Sequence, residues 1–195
     1  LPGSTGHLHQ SLADSTGEQN LFHDPKSADG LSELLRRYVA GQVRLAPELT
    51  ALYAPFVNSY KRYVPGVWAP LTPTWGIDNR TCAVRVIPAG AASRVEYRQT
   101  AADLNPYVAM AASIGAGLYG IENNLELGEP TEGSAYGNAS VERLPRTLGE
   151  ATERMAASPV VRELFGDIFV DHFCATREWE WRQHNEAVTD WELQR

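Results

Sequence analysis

Cysteine and long apolar runs are both scarce in this sequence. Cys82 and Cys174 are the only cysteines among the 195 residues, and they lie far apart in apolar segments. This usage is typical of reduced thiols in a reducing compartment. No apolar run reaches the length of about 20 residues that a membrane-spanning helix needs. We therefore expect a cytoplasmic protein with no membrane partner.

Positive charge and glycine-rich nucleotide motifs are also lacking. Seventeen basic residues against 24 acidic ones give a formal net charge of −7, which argues against a broad nucleic-acid or anionic-membrane surface. Neither the P-loop pattern nor the dinucleotide-binding glycine pattern is present. A local cluster of arginines can still bind a small anion.

The composition is that of a soluble globular protein, with 43% hydrophobic and 21% charged residues. A chain of 195 residues suits one large domain, or one and a half small ones. The sequence opens Leu1-Pro2-Gly3 and goes directly into a motif. We expect it to be a piece of a longer protein, with the missing part preceding Leu1.

Hydrophobic periodicity predicts strands and helices in separate parts of the chain. Strands are expected at 7–12, 71–76, 81–87 and 94–100. Helices are expected at 29–45, 49–53, 107–123, 147–156, 159–165 and 167–187. The helix that follows Asn105-Pro106 is apolar nearly all round, which predicts burial against the back of the sheet. Residues 13–28, 55–73 and 128–144 are expected to be loops.

The strand at 94–98 is the most informative stretch. Side chains alternate along a strand, so Arg94, Glu96 and Arg98 share one face while Val95 and Tyr97 share the other. The charged face has two interpretations. It is either a solvated outer face, with ion pairs worth about 0–1 kcal/mol each, or part of a polar site.

Two other predicted strands also place polar side chains on one face. His7 and His9 share one face of a predicted strand, which suits either a metal site or a structural histidine pair. Arg85 lies opposite Val84 and Val86 on the strand at 81–87. Together these faces suit a polyanion and a divalent metal.

Two basic segments suit anionic groups. Lys61 and Arg62 lie in the proline-bounded loop, where an arginine could clamp a carboxylate or simply be solvated. Between positions 80 and 98 lie four arginines and one acid, Glu96. Phosphoryl transfer needs cations around the transferring oxygens and a carboxylate that holds a metal.

These stretches together resemble the C-terminal half of the catalytic domain of the glutamine synthetase superfamily. The resemblance runs nearly end to end and rests on five motifs in the family's order, Gly3-Ser4-Thr5-Gly6-His7-Leu8-His9-Gln10-Ser11, Asn58-Ser59-Tyr60-Lys61-Arg62-Tyr63-Val64-Pro65-Gly66, Asp78-Asn79-Arg80-Thr81, Arg94-Val95-Glu96-Tyr97-Arg98 and Asn105-Pro106-Tyr107. It implies ATP-dependent ligation of an amine to the γ-carboxylate of glutamate, through a γ-glutamyl phosphate.

The resemblance also implies roles for individual residues. The implied metal ligands, for Mg²⁺ or Mn²⁺, are His7 and Glu96. The implied ATP contacts are His9, Ser11, Arg80, Arg85 and Arg94. The implied glutamate contacts are Gly3, Arg62, Arg80 and Arg98, and the residues expected at the reacting groups are Arg80, Arg98 and Trp68.

Three positions depart from the family pattern. Trp68 stands where an acidic residue helps to capture ammonium, so we expect an organic amine such as a polyamine, a monoamine or an aromatic amine. The alternatives are that Trp68 only packs the loop, that the protein uses ammonia, or that it is a non-catalytic structural relative. Pro2 replaces an Asn that contacts glutamate. Tyr136 lacks the flanking residues of an adenylylation loop, so that control is not expected.

The resemblance further implies an incomplete site. The family's second metal depends on carboxylates from earlier strands, and a small N-terminal domain of a neighbouring subunit completes the site. We therefore expect the isolated piece to be inactive and the parent to form a homo-oligomeric ring. The expected fold class is α+β, an antiparallel sheet with the site on one face and helices on the other.

Overall fold

A four-stranded sheet forms the centre of the protein. The structure is a computed structural model that describes residues 5–137 and 140–194. The strands are β1 (Leu8–Gln10), β2 (Trp75–Ile77), β3 (Val84–Ile87) and β4 (Arg94–Tyr97), in the order β1-β4-β3-β2. The α+β fold class is confirmed, and each strand is shorter than expected from the sequence.

The sheet is mixed, which corrects the expectation of a purely antiparallel one. β4 pairs antiparallel with both β1 and β3, but β2 and β3 run parallel. The short connection between β2 and β3 turns at Asp78, which adopts a left-handed φ of 49°. Backbone hydrogen bonds Asp78 N–Val86 O and Val84 N–Thr74 O then hold the returning chain beside β2.

Seven α-helices are found in the described part of the chain. They are α1 (Glu33–Leu45), α2 (Thr50–Tyr53), α3 (Pro106–Glu122), α4 (Leu148–Ala157), α5 (Pro159–Phe165), α6 (Asp167–Glu186) and α7 (Asp190–Leu193). Ser32, Asn105, Thr147 and Ser158 cap α1, α3, α4 and α5 by accepting backbone N–H groups. The expected loop at 55–73 contains a 3₁₀ helix, Val57–Arg62, and α7 was not predicted.

Helix α3 packs against α1 through small residues. Its buried positions are Ala109, Ala112, Ser113, Ala116, Gly117 and Gly120. A Cβ atom added to Gly41 of α1 would lie 2.0 Å from the carbonyl oxygen of Ala116, so the two backbones approach closely. The missing side chains make this approach possible.

The prediction that α3 is buried is correct for one face of the helix only. Tyr107, Met110, Ile114 and Leu118 are exposed on the face opposite α1. Because α1 approaches the small-residue face, the larger apolar side chains of α3 point away from the contact. An apolar composition alone therefore did not identify which face is buried.

The helices cover one face of the sheet. Val84, Val86, Val95 and Tyr97 project from that face into the core and are fully buried. Cys82 and Cys174 are both buried and unpaired. Among the described helices, none combines the length and apolarity needed to cross a membrane. The opposite sheet face carries the charged side chains.

Candidate active site

The Glu96 carboxylate lies at the centre of the charged sheet face. Glu96 and Arg98 are 3% and 4% exposed, so the interpretation as a solvated face is wrong for these two residues. Arg85 Nη1 donates to Glu96 Oε2 over 3.0 Å, and Arg98 Nη1 donates to Oε1 over 2.8 Å. Two guanidinium groups thus offset the cost of burying this charge.

The two imidazoles lie beside the same carboxylate. His7 Nδ1 is 3.1 Å from Glu96 Oε1, and His9 Nε2 is 3.7 Å from that atom. Strand register explains the arrangement, because His9 and Arg85 both lie opposite Glu96 on the neighbouring strands. The predicted pair of histidines therefore joins a polar cluster.

Electrostatics favour a charged carboxylate and a neutral imidazole here. Burial alone would raise the pKa of Glu96, but the hydrogen bonds from Arg85 and Arg98 outweigh it and lower the pKa. Burial and the nearby Arg98 charge lower the pKa of His7, despite the opposing attraction of Glu96. A neutral imidazole and a charged carboxylate are the forms that bind metal ions.

Arg98 connects the cluster to the loop that borders it. Its Nε donates to the Arg80 carbonyl over 3.1 Å, and its Nη2 donates to the Trp68 carbonyl over 3.2 Å. We call residues 64–69 the flap. Trp68 has a φ of 59°, a left-handed conformation that is uncommon for a bulky residue and therefore strained.

Arg62 is buried behind the flap. Its guanidinium donates to the backbone carbonyls of Arg98, Gln99 and Thr100 over 2.8 to 3.1 Å. It also lies over the ring of Tyr63, 5.0 Å from the centroid. A guanidinium has five N–H groups, so these three bonds leave donor capacity for an anion.

A cleft of about 590 Å³ collects most of the predicted site residues. Eight of them line it: His7, His9, Arg62, Trp68, Arg80, Arg85, Glu96 and Arg98. Thr5, Val67 and Ala69 also line it and were not predicted. In the sequence, their positions next to the Gly6-His7 and Pro65-Gly66 stretches were the feature that could have indicated that they line the site. Asp78, which pairs with Arg85, was also missed.

Two predicted residues, Ser11 and Arg94, do not line the cleft. Ser11 is exposed beyond the end of β1. Arg94 Nη1 instead donates to the carbonyl of Ala92 over 3.2 Å. Gly3 lies outside the described residues, as do Pro2 and Asn138. The predicted nucleotide contacts of Ser11 and Arg94 stay predictions.

The His7–Glu96 pair fits part of a divalent-metal site. Adjacent oxygen ligands of an octahedral cation with bonds of roughly 2.0–2.1 Å lie about 3.0 Å apart. The 3.1 Å between His7 Nδ1 and Glu96 Oε1 matches that spacing. Within residues 5–137 and 140–194, no three His, Cys, Asp or Glu side chains are grouped to hold a metal. In this part of the chain, His7 and Glu96 stay the predicted ligands.

Comparison with known proteins identifies the family of this chain. The family model for the glutamine synthetase catalytic domain matches residues 1–195. The chain belongs to the glutamine synthetase family. Residues from four of the five motifs described above line the charged cleft.

Several members of the glutamine synthetase family are close in sequence. The chain is 49% identical to type-1 glutamine synthetase 2 of Dictyostelium discoideum, 44% to gamma-glutamylethanolamide synthetase GlnA4 of Streptomyces coelicolor and 44% to glutamate–isopropylamine ligase of a Pseudomonas species. At least 99% of the chain is covered in each comparison, but only 38 to 42% of the relative's length.

A solved structure supports the fold directly. The structure of a GmaS–ADP complex matches 97% of this chain with a TM-score of 0.86 and 34% sequence identity. The match covers 45% of the GmaS chain. The α+β architecture of this glutamine synthetase family member is therefore the one found in a solved relative.

Proposed function

We propose that the full-length protein carrying this chain ligates an amine to the γ-carboxylate of glutamate with ATP, through a γ-glutamyl phosphate. The convergence of two imidazoles, one carboxylate and four guanidinium groups on one cleft carries the proposal. Preorganised cations stabilise a transferring phosphoryl group, since its negative charge is spread over several oxygens. The family relationship supports the same chemistry.

The cofactor would be held by the central cluster. Bound ATP would supply the phosphoryl group that activates the γ-carboxylate, and Mg²⁺ or Mn²⁺ would offset the negative charge of the nucleotide. His7 and Glu96 would be the metal ligands. Imidazole and carboxylate are common ligands of divalent cations, with the imidazole favouring Mn²⁺ over Mg²⁺.

Arginines would orient both anionic partners in the cleft. His9, Arg80 and Arg85 would contact the nucleotide, together with Ser11 and Arg94 from outside the cleft. Arg62 and Arg98, with Arg80 and Gly3, would bind glutamate. A guanidinium forms paired hydrogen bonds with a carboxylate or a phosphate, which fixes the orientation of the reacting groups.

Trp68 favours an organic amine over ammonia. An indole ring cannot accept a proton, and its attraction for a cation is about 0.5–2 kcal/mol. Its side chain is 59% exposed and borders the cleft, so it presents a large apolar wall to an incoming amine. Two relatives at 44% identity are named for organic amines, ethanolamine and isopropylamine.

Ammonia is the second candidate nucleophile. The relative at 49% identity and the 39% identical protein of Thermotoga maritima are named glutamine synthetases. Ammonia and organic amines would share the activation step and differ only in the attacking group. The distinction therefore depends on the walls of the cleft near Trp68.

Amine-dependent product formation by the full-length protein tests the proposal. ATP, glutamate and Mg²⁺ would be supplied with ammonia, ethanolamine, isopropylamine, putrescine or aniline, and phosphate release and the γ-glutamyl product would be measured. We expect an organic amine to give the highest kcat/KM. Ammonia exceeding every organic amine would favour the second candidate, and no glutamate-dependent phosphate release would refute both.

A further inference from the structure

A second cavity adjoins the cleft. It has a volume of about 830 Å³ and lies between the flap, the β2–β3 turn and the segment 130–136. We call it the side cavity. Trp68 and Arg80 line both the cleft and the side cavity, so the two spaces meet at these residues. A molecule that enters the cleft past Trp68 can therefore extend into the side cavity.

Hydrogen bonds hold the walls of the side cavity in place. Asn79 Nδ2 donates to the carbonyls of Thr131 and Gly133 over 3.0 and 2.7 Å. The backbone N–H of Ala135 donates to Thr81 Oγ1 over 2.9 Å. These bonds tie the segment 130–136 to the β2–β3 turn, so the cavity has fixed walls on two sides.

The lining of the side cavity suits an amphipathic chain. Trp68, Ile77 and Pro130 provide apolar surface for methylene groups. Tyr136 also lines the side cavity.

The side cavity is lined by charges of both signs. Arg80 lines both the cleft and the side cavity, whereas Glu132 lines the side cavity only. The other carboxylate in its wall, Asp78, is paired with Arg85. Glu132 has no ion-pair partner in the described part of the chain, so a cation on a ligand could pair with it.

We propose that the side cavity binds the distal part of the amine substrate and that Glu132 pairs there with a second ammonium group. The substrate class would then be diamines and longer polyamines, with one nitrogen at Trp68 and the other near Glu132. This inference rests on the proposed amine ligase function and deepens it. Glu132 is exposed, so its ion pair would be modest and sensitive to salt.

A comparison of amines of equal length tests the pairing. Putrescine and n-butylamine share a four-carbon chain, but only putrescine carries a second amino group. In the full-length protein, we expect Glu132→Gln to lower kcat/KM for putrescine by about fivefold relative to n-butylamine at low ionic strength. The difference should shrink toward unity in high salt.

Two further variants make the test specific. Glu129 immediately precedes the segment 130–136, is exposed and does not line the side cavity, so Glu129→Gln should leave the ratio of the two amines unchanged. Ile77→Trp would fill part of the cavity and should lower kcat/KM for putrescine and n-butylamine relative to methylamine. That effect tests the cavity independently of charge.

The outcomes separate this inference from the proposed function. If the protein uses organic amines but Glu132→Gln lowers both kcat/KM values equally, Glu132 does not bind the second nitrogen and the inference is wrong. If Ile77→Trp leaves the ratio of long to short amines unchanged, the side cavity does not hold the chain. If ammonia alone is ligated, the second candidate function holds, and the organic-amine proposal is wrong together with this inference.

Discussion

Arg98 donates to the carboxylate of Glu96 over 2.8 Å while both side chains are buried. The same guanidinium donates to the carbonyl of Trp68, whose backbone is in the left-handed region. The charged cluster and the flap are therefore connected through a single side chain. A substitution of Arg98 that keeps the positive charge but loses these hydrogen bonds should therefore affect the flap.

Replacing Arg98 by lysine should loosen the flap. Lysine keeps the charge but cannot donate to Glu96, Arg80 and Trp68 at once in the same planar geometry. We expect the amides of residues 64–69 to exchange hydrogen roughly tenfold faster, since a lost hydrogen bond of about 1.4 kcal/mol corresponds to that factor. Hydrogen exchange followed by mass spectrometry measures this directly. Arg94→Lys is the control, because Arg94 does not contact the flap.

Gly41→Ala should destabilise the protein strongly. The added Cβ would lie 2.0 Å from the Ala116 carbonyl oxygen and 2.7 Å from the Gly120 backbone nitrogen, so α1 and α3 would have to separate. Forcing such a contact costs about 1–3 kcal/mol or more of unfolding free energy. Urea unfolding measures the loss. Gly128→Ala meets no atom within 4 Å and should be tolerated, and equal effects of the two changes would refute this packing.

A buried polar network behind the sheet should fix strand β1. Gln10 accepts a hydrogen bond from Tyr38 Oη over 2.6 Å and donates to Ser113 Oγ over 2.7 Å. Gln10→Leu would leave the Tyr38 hydroxyl without its acceptor, at a cost of about 1–3 kcal/mol, whereas Ser113 Oγ would still accept from Gln42 Nε2 over 2.8 Å. A double-mutant cycle with Tyr38→Phe should give a coupling energy of about 0.5 kcal/mol or more. Strict additivity in urea unfolding would show that the bond contributes nothing.

The thiol of Cys174 should titrate at unusually high pH. Burial raises its pKa from 9.0 to about 11, because an apolar environment disfavours the thiolate. Between about pH 9 and 11, the Cys174 thiol is therefore protonated in the folded state and ionised in the unfolded state. The free energy of unfolding that this proton contributes is lost as the pH rises through that window. At pH 8.5, iodoacetamide should modify Cys174 far more slowly in native protein than in urea. Similar rates would contradict the buried position.

Helix positions were largely predictable from local signals. Ser158 and Pro159 mark the start of α5 and Gly166 follows its end, so the predicted bounds 159–165 agree with the structure. The alternation along β4 correctly placed Glu96 and Arg98 on one face. Both predictions rest only on residues that are close to one another in the sequence.

Features that depend on distant residues were not predictable in the same way. The cross-strand row of His9, Glu96 and Arg85 depends on strand register, which no single stretch of sequence determines. The parallel pairing of β2 and β3 depends on the turn at Asp78. The alternation along β4 places Arg94 on the same face as Glu96. Arg94 nevertheless does not line the cleft, because the cleft does not extend that far along the strand.

Glu96 lies at the centre of the proposed active site. Glu96→Gln keeps the size of the side chain and removes the charge that would bind a metal, so its effect on the reaction tests that role. In the full-length protein, with a thermal melt to establish folding, we expect glutamate- and amine-dependent ADP formation to fall at least roughly a hundredfold. Glu33→Gln, which alters an exposed pair with Arg37, should keep the wild-type rate. A folded Glu96→Gln protein that forms ADP at the wild-type rate would contradict the account.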